Sequence, residues 1–103
     1  MLIIREVFNC KPGKVRALVE KFMEMSRLQE KAGLGRMRVM TDVCGERYWT
    51  VVGEFEVESL QAFEQMMVGG GMSEEMQKDF ERVMSGYHDL VDHGHREIFK
   101  IEG

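Results

Sequence analysis

The first strand-like segment of the chain carries apolar side chains on both of its faces. It covers residues 2–10 and ends in the tripeptide Lys11-Pro12-Gly13. The apolar residues alternate between the faces, with Leu2, Ile4 and Phe8 on one and Ile3 and Val7 on the other. A strand that is apolar on both sides has to be covered on both sides. In so short a chain, we expect the second cover to be another copy of the same chain.

The remaining hydrophobic periodicity predicts the element order β-α-β-β-α-β. Pro12 breaks the first ladder, and a helical spacing of apolar residues follows over residues 14–32. Period-two alternation predicts strands over residues 37–43 and 47–57, joined by a tight turn at Gly45-Glu46. Ser59 is positioned to cap a second helix, which Gly69–Gly71 interrupts and Ser73 starts again. A last strand is predicted over residues 95–101.

This order predicts an α+β, ferredoxin-like fold with one antiparallel four-stranded sheet. Right-handed crossovers put all helices on the same side of the sheet. The other side would be a bare apolar face of roughly 300–400 Å². Its candidate residues are Met40, Tyr48, Val52, Phe99 and Ile101. A face of this kind usually marks an interface, so we expect two sheets to pack as a homodimeric α/β barrel.

Composition limits the classes of function. A chain of 103 residues predicts one domain, residues 1–103. The net charge of −4 provides no basic field for phosphate backbones, so we expect no nucleic-acid partner. No apolar run approaches the length of a membrane span, and no leader pattern precedes the first strand. We therefore expect a cytoplasmic protein without a membrane partner.

The two cysteines are predicted to be free thiols. Cys10 and Cys44 fall near the ends of strands that have a third strand between them. Their backbones would be roughly 10 Å apart, twice the inter-strand spacing. A disulfide needs Cα atoms within about 7 Å of each other.

One cluster of histidines and carboxylates lies between the last helix and the last strand. It consists of His88, Asp89, Asp92, His93 and His95. Two histidines at i, i+2 on a strand point to the same side and, with a third ligand, would suit zinc or iron. The alternative is a polar connection with solvated imidazoles. We predict the latter, and neither a metal nor an organic cofactor.

A second set of polar side chains lies on otherwise apolar strands. Its members are Arg5, Glu6, Arg38, Asp42, Tyr48, Glu54, Arg96 and Glu97. Charges within a sheet interface must be paired or hydrated, so cross-strand ion pairs are one interpretation. The other is a ligand cavity under the helices, near Trp49, Tyr48 and Glu54. There Glu54 would act as a general base, with Tyr48 or His95 as proton donor. Arg5 or Arg96 would hold an anionic oxygen, and Trp49 would contact the ligand.

Two segments resemble a known superfamily. REVFNCKPGK, followed by an amphipathic helix, and YWTVVGEFEVESLQAFEQMM are similar to the dimeric α/β-barrel proteins, and most of all to NIPSNAP-like domains. Antibiotic-biosynthesis monooxygenase domains are related to them. The shared features are Lys11-Pro12-Gly13-Lys14 before the first helix and Glu58-Ser59-Leu60 with Phe63-Glu64 at the start of the second. The resemblance covers the whole chain in element order.

The resemblance implies a homodimeric barrel with a cavity between sheet and helices. It also implies a range of activities, including cofactorless oxygenases, haem-degrading enzymes and isomerases. Two hypotheses follow. The first is a cofactor-independent monooxygenase or isomerase that acts on a small aromatic or polyketide-like molecule. The second is a non-catalytic dimeric module that binds a small apolar ligand or a protein.

Overall fold

Four strands, three α-helices and one short 3₁₀ turn make up the chain. The computed structural model describes all residues from Met1 to Gly103. In chain order the elements are β1 Leu2–Cys10, α1 Val15–Lys31, β2 Arg38–Thr41, β3 Thr50–Val57, α2 Leu60–Met67, α3 Glu74–Met84, the 3₁₀ turn Tyr87–Asp89 and β4 Val91–Lys100. None of the helices combines the length and the apolar character needed to cross a lipid bilayer.

The strands form one antiparallel sheet in the order β2-β3-β1-β4. This is the predicted α+β, ferredoxin-like arrangement, so the fold class is confirmed. The longest ladder joins β1 to β4, from Leu2 opposite Lys100 to Cys10 opposite Val91. Strand β2 has only four residues, so it covers half the length of β3.

The core lies between the helices and one face of the sheet. Ile4, Leu18 and Val51 are fully buried. Phe22 of α1 and Met37 lie directly against the backbone of Gly53, at 3.2 and 2.7 Å from the position that a Cβ would occupy. Gly53 therefore allows a helix to approach the sheet, which is one of the two roles that a glycine within a strand suggests.

Serines begin both later helices, as predicted. The Ser59 side chain accepts a hydrogen bond from the Ala62 amide at 3.1 Å, and Ser73 accepts one from Met76 at 3.2 Å. The glycines between them separate α2 from α3. The C-terminal end of α3 is tied to α1, because Lys21 Nζ donates to the carbonyls of Val83 and Ser85 at 3.0 and 2.8 Å.

Three predicted strand boundaries are wrong. β2 ends at Thr41 and β3 begins at Thr50, so an eight-residue loop, 42–49, replaces the predicted tight turn. The Asp42 carboxylate accepts a hydrogen bond from the Thr50 amide at 2.8 Å, which diverts the chain from the ladder. β4 starts at Val91 rather than at residue 95, because Gly94 lies in the strand beneath the Phe8 ring.

Candidate functional site

The face of the sheet opposite the helices, hereafter the open face, is a set of three ordered rows. The register places side chains of the same kind beside each other on neighbouring strands. The charged row is Arg38, Glu54, Arg5 and Glu97. The apolar row is Met40, Val52 and Val7, and ends in His95. The polar row is Thr50, Asn9 and His93.

The open face is therefore not the uniformly apolar surface that the sequence suggested. Met40, Val52 and Phe99 lie on it, with Phe99 48% exposed. Tyr48 lies in the 42–49 loop, and Ile101 lies beyond the end of β4. The charged row crosses all four strands between the apolar row and the row that contains Phe99. Any partner that covers this face has to satisfy these charges.

A groove with a volume of about 750 Å³ lies on the open face. The apolar and polar rows form its floor, and Gly45, Glu46 and Arg47 of the 42–49 loop line it as well. Asn9 is buried in the floor, where its amide donates to the Thr50 hydroxyl at 3.2 Å. That hydroxyl in turn donates to the carbonyl of Arg47 at 3.1 Å. These hydrogen bonds connect the floor to the loop.

Three of the predicted site residues meet in this groove: Arg5, Glu54 and His95. Arg5 Nε donates to Glu54 Oε2 at 2.8 Å, and the guanidinium lies 5.1 Å from the centre of the Phe99 ring. His95 Nε2 lies 2.9 Å from Glu97 Oε2. Each of these ionisable groups is already paired with a neighbour on the sheet.

The predicted location under the helices is wrong for this set. Glu54 alternates with Phe55, whose side chain faces the helices, so the Glu54 carboxylate faces the other way. Arg96 does lie on the helix side. It pairs there with Glu6, and its guanidinium lies 5.0 Å from the centre of the Phe63 ring. The sheet thus separates Arg96 from Arg5 and Glu54.

Tyr48 and Trp49 lie outside the groove of their own chain. They occupy the end of the 42–49 loop, where Tyr48 is 81% and Trp49 46% exposed. Trp49 has a left-handed backbone, with φ of 57°. Hydrogen bonds on either side hold this conformation. The Cys10 backbone amide donates to the Trp49 carbonyl at 2.8 Å, and the Thr50 backbone amide donates to the Asp42 carboxylate. A bulky residue with positive φ is strained, and such strain clusters at functional sites.

The histidine cluster divides into two parts. His93 and His95 point to the open face, whereas His88 lies in the 3₁₀ turn, where its ring is 4.0 Å from that of Tyr87. The structure brings together no group of three or more His, Cys, Asp or Glu side chains in a metal-binding arrangement. The pair on β4 therefore lacks the third ligand that a metal site would need.

Both cysteines are free thiols, as predicted, but their surroundings differ. Cys10 is buried at the end of β1, and Cys44 is exposed in the 42–49 loop. Burial raises the pKa of the Cys10 thiol, and the nearby Asp92 carboxylate raises it further. Cys44 is the thiol that solvent reaches.

Two residues of the polar row were not identified as part of a site from the sequence, where only His93 was named, in the histidine cluster. Asn9 and Thr50 are isolated polar residues at strand ends, and neither forms a recognisable motif. That they share one face of the sheet could have been derived from the alternation of β1 and β3. Their enclosure by the loop could not, because the sequence predicted a tight turn there.

Similar folds occur among solved structures. A NIPSNAP family protein of unknown function from Agrobacterium tumefaciens matches with a TM-score of 0.72 and 17% identity, over 98% of this chain and 87% of that chain. A NIPSNAP domain protein from Burkholderia xenovorans matches with a TM-score of 0.72 and 14% identity, over 98% and 94%. A Bacteroides fragilis protein, described as dimeric, ferredoxin-like and of unknown function, matches with a TM-score of 0.53 and 11% identity, over 97% and 96%.

These similarities establish the class of fold. The chain has the ferredoxin-like fold of the NIPSNAP proteins, in agreement with the resemblance found in its sequence. No protein-family model matches the chain, and no curated protein does so. Two of the three structures are of proteins whose function is unknown, so they support no oxygenase or isomerase activity for this chain.

Proposed function

We propose that the chain is a ligand-binding module that works as a homodimer, with its binding site in the groove of the open face. The groove carries this proposal, because three apolar side chains and a larger set of polar and charged ones line the same concave surface, so that one ligand can contact both kinds of group. The apolar row suits a flat or aromatic ligand. The polar row offers hydrogen bonds to a hydroxyl or carbonyl on that ligand.

The dimer is proposed on independent grounds. Met40, Val52 and Val7 form an apolar band on a face without any helix over it, and Phe99 is half exposed on the same face, on the other side of the charged row. A second sheet at the usual spacing of about 10 Å would cover this band and close the groove. The dimeric Bacteroides fragilis protein with a similar fold is consistent with this assembly.

Binding is favoured over catalysis by the state of the ionisable groups. Glu54 is occupied by Arg5, and His95 by Glu97. A general base has to be within hydrogen-bond reach of a substrate proton, and here each candidate first has to leave its partner. The second candidate function, a cofactor-independent oxygenase or isomerase, rests on the observation that Glu54 and His95 line the same groove.

A ligand screen with a matched pair of variants tests the proposal. Small aromatic ketones, phenols and quinols are screened for an increase in melting temperature. Val52→Gln places a polar group in the floor of the groove and should abolish the increase caused by any true ligand. Val68→Gln makes the same change at a residue that is 82% exposed outside the groove, and should leave the increase intact.

Three outcomes are informative. Loss of the shift in Val52→Gln alone supports the groove as the site. An equal loss in both variants, or no ligand at all, contradicts the proposal. Oxygen uptake or product formation with a hit, abolished by Glu54→Gln, would favour the enzyme over the binding module.

A further inference from the structure

The charges of the charged row alternate in sign across the whole sheet. From β2 to β4 it reads positive at Arg38, negative at Glu54, positive at Arg5 and negative at Glu97. The central pair is in contact at 2.8 Å. Because the row has an even number of alternating charges, its mirror order has the opposite sign at every position.

This alternation selects one way of facing two copies. A two-fold axis parallel to the strands, between β3 and β1, exchanges β2 with β4 and β3 with β1. Arg38 then faces the partner's Glu97, and Arg5 faces the partner's Glu54. Shifting the partner sheet by one strand moves the axis onto a strand and puts like charges opposite each other. Shifting it by two strands restores opposite charges but leaves two charges of each row without a facing partner. Turning the axis perpendicular to the strands sets the row against like charges or against the row on one side of it. Facing like charges are strongly unfavourable at an interface.

The same axis determines where the partner's loop lies. A rotation about the strand direction leaves the position of each row along the strands unchanged. The 42–49 loop connects β2 to β3 at the polar-row end of the sheet. After the rotation, the partner's loop is at that same end, but over β4 and β1 instead of β2 and β3. It therefore lies opposite His93 and His95, which line the side of the groove that the chain's own 42–49 loop does not border.

We propose that the groove is a composite site, and that the 42–49 loop of the partner copy completes it. This inference rests on the homodimer of the proposed function and goes beyond it. The loop carries three exposed apolar side chains, with Val43 101%, Tyr48 81% and Trp49 46% exposed in the single chain. Exposed apolar groups on a loop held by hydrogen bonds are typical of a contact surface.

The composite site has a consequence for ligand class. One chain supplies the apolar row and the hydrogen-bonding Asn9 and Thr50. The partner supplies two aromatic side chains, Tyr48 and Trp49, at the opposite side. A planar aromatic molecule with one polar edge fits this division, since aromatic rings pair well with other aromatic rings. The predicted residues Tyr48, Trp49, Glu54 and His95 are thus brought together only between two chains.

Crosslinking through the natural cysteine tests the arrangement. Cys44 lies in the loop and is exposed, whereas Cys10 is buried. The variant His93→Cys adds a second surface thiol on the open face of β4. Under mild oxidation, the composite site predicts a disulfide between Cys44 of one chain and position 93 of the other, visible as a covalent dimer on a non-reducing gel. Linkage within one chain would leave a single-chain band.

Two controls make the result specific. Cys44→Ser in the same background should remove the covalent dimer. Glu56→Cys, which places the new thiol on the open face at the other end of β3, should give less than a tenth of the linkage of His93→Cys. Only an axis perpendicular to the strands brings the loop opposite position 56.

Sedimentation separates this inference from the proposal beneath it. A dimer that links through position 93 supports the composite site. A dimer that links through position 56, or through neither position, refutes the composite site while the homodimer stands. A single chain at micromolar concentration refutes both.

Discussion

At the scale of the residue, two glycines decide how closely other groups approach the sheet. Gly53 has Met37 and Phe22 against its backbone, and Gly94 has the Phe8 ring 2.6 Å from the position of a Cβ. Neither has a positive φ, so space rather than backbone conformation demands glycine there. Side-chain size at these two positions therefore controls the packing of the helix layer.

Gly53→Ala should lower the free energy of unfolding by about 1–3 kcal/mol, because the added methyl group overpacks a filled core. The measurement is urea denaturation. Gly45→Ala is the matched control, because the nearest atom to its added Cβ is 3.8 Å away. It should change stability by less than about 0.5 kcal/mol. Equal effects of the two substitutions would contradict the packing described around Gly53.

The two thiols should react at different rates. Only the thiolate is nucleophilic, so the raised pKa and the burial of Cys10 both protect it, whereas Cys44 is exposed. A thiol reagent at pH 8 should titrate one equivalent in the folded protein and two in denaturant. Reaction of the folded Cys44→Ser variant as fast as the wild type would contradict this.

The raised pKa of Cys10 also makes the free energy of unfolding depend on pH. The folded state holds this proton to a higher pH than the unfolded state does. The contribution of Cys10 is therefore fully present below the ordinary thiol pKa and is lost as pH rises through the folded pKa. Cys10→Ser should reduce this decline in unfolding free energy at alkaline pH.

At the scale of the element, the connection between α1 and α3 has a single charged donor. Lys21 Nζ donates to the last carbonyls at the end of α3, where a helix leaves acceptors unpaired and favours positive charge. None of the α3 residues is fully buried. The lysine is therefore a main tether of that helix end.

Lys21→Met keeps the aliphatic stem and removes the donor, so α3 should fray from its C-terminal end. We expect a loss of about 1 kcal/mol and faster hydrogen exchange at the amides of Val83 and Met84. Lys78→Met, an exposed lysine on α3 itself, is the control and should leave exchange there unchanged. If exchange rises equally in both variants, Lys21 is not the tether.

The sequence predicted elements better than it predicted their ends. The alternation of Val51, Gly53 and Phe55 against Thr50, Val52 and Glu54 gave the correct two faces of β3. The alternation of Met37, Val39 and Thr41 likewise continues to Val43, but β2 ends at Thr41 and Val43 is fully exposed, because the Asp42 side chain takes the place of a backbone partner for Thr50. Alternation does not predict where a side-chain hydrogen bond ends the pairing of two strands.

The site was harder to predict than the fold, because it depends on which face the helices choose. Arg5, Glu54 and His95 were recognised as polar residues on apolar strands, and the sheet does place them in one groove. Alternation along β3 places Glu54 on the same face as Val52, but it does not say that the helices cover the opposite face. Arg96 follows His95 directly in β4, so alternation along the strand already separates it from this set, and the β1–β4 register agrees.

At the scale of the whole molecule, the alternating charged row predicts which substitutions weaken the dimer. Arg5→Glu or Glu54→Arg alone puts like charges opposite each other across the proposed two-fold axis. Each should raise the dimer dissociation constant at least about tenfold, equivalent to about 1.4 kcal/mol. Sedimentation equilibrium measures it.

The double variant Arg5→Glu/Glu54→Arg should recover most of that loss. Its row reads positive, positive, negative, negative, which is again opposite in sign to its own reversal. Arg27→Glu makes the same change in net charge as Arg5→Glu, but on α1, where Arg27 pairs with Glu24, and should leave the constant unchanged. A double variant weaker than both single variants would rule out the proposed axis.

The position of Trp49 has an optical consequence. It is the chain's one tryptophan, and nearly half of it is in contact with water in the isolated chain. If another subunit buries that indole, its fluorescence should move to longer wavelength as the protein is diluted and its subunits part. Unlabelled protein would then report its own association, and a planar molecule seated beside the ring would quench the same signal.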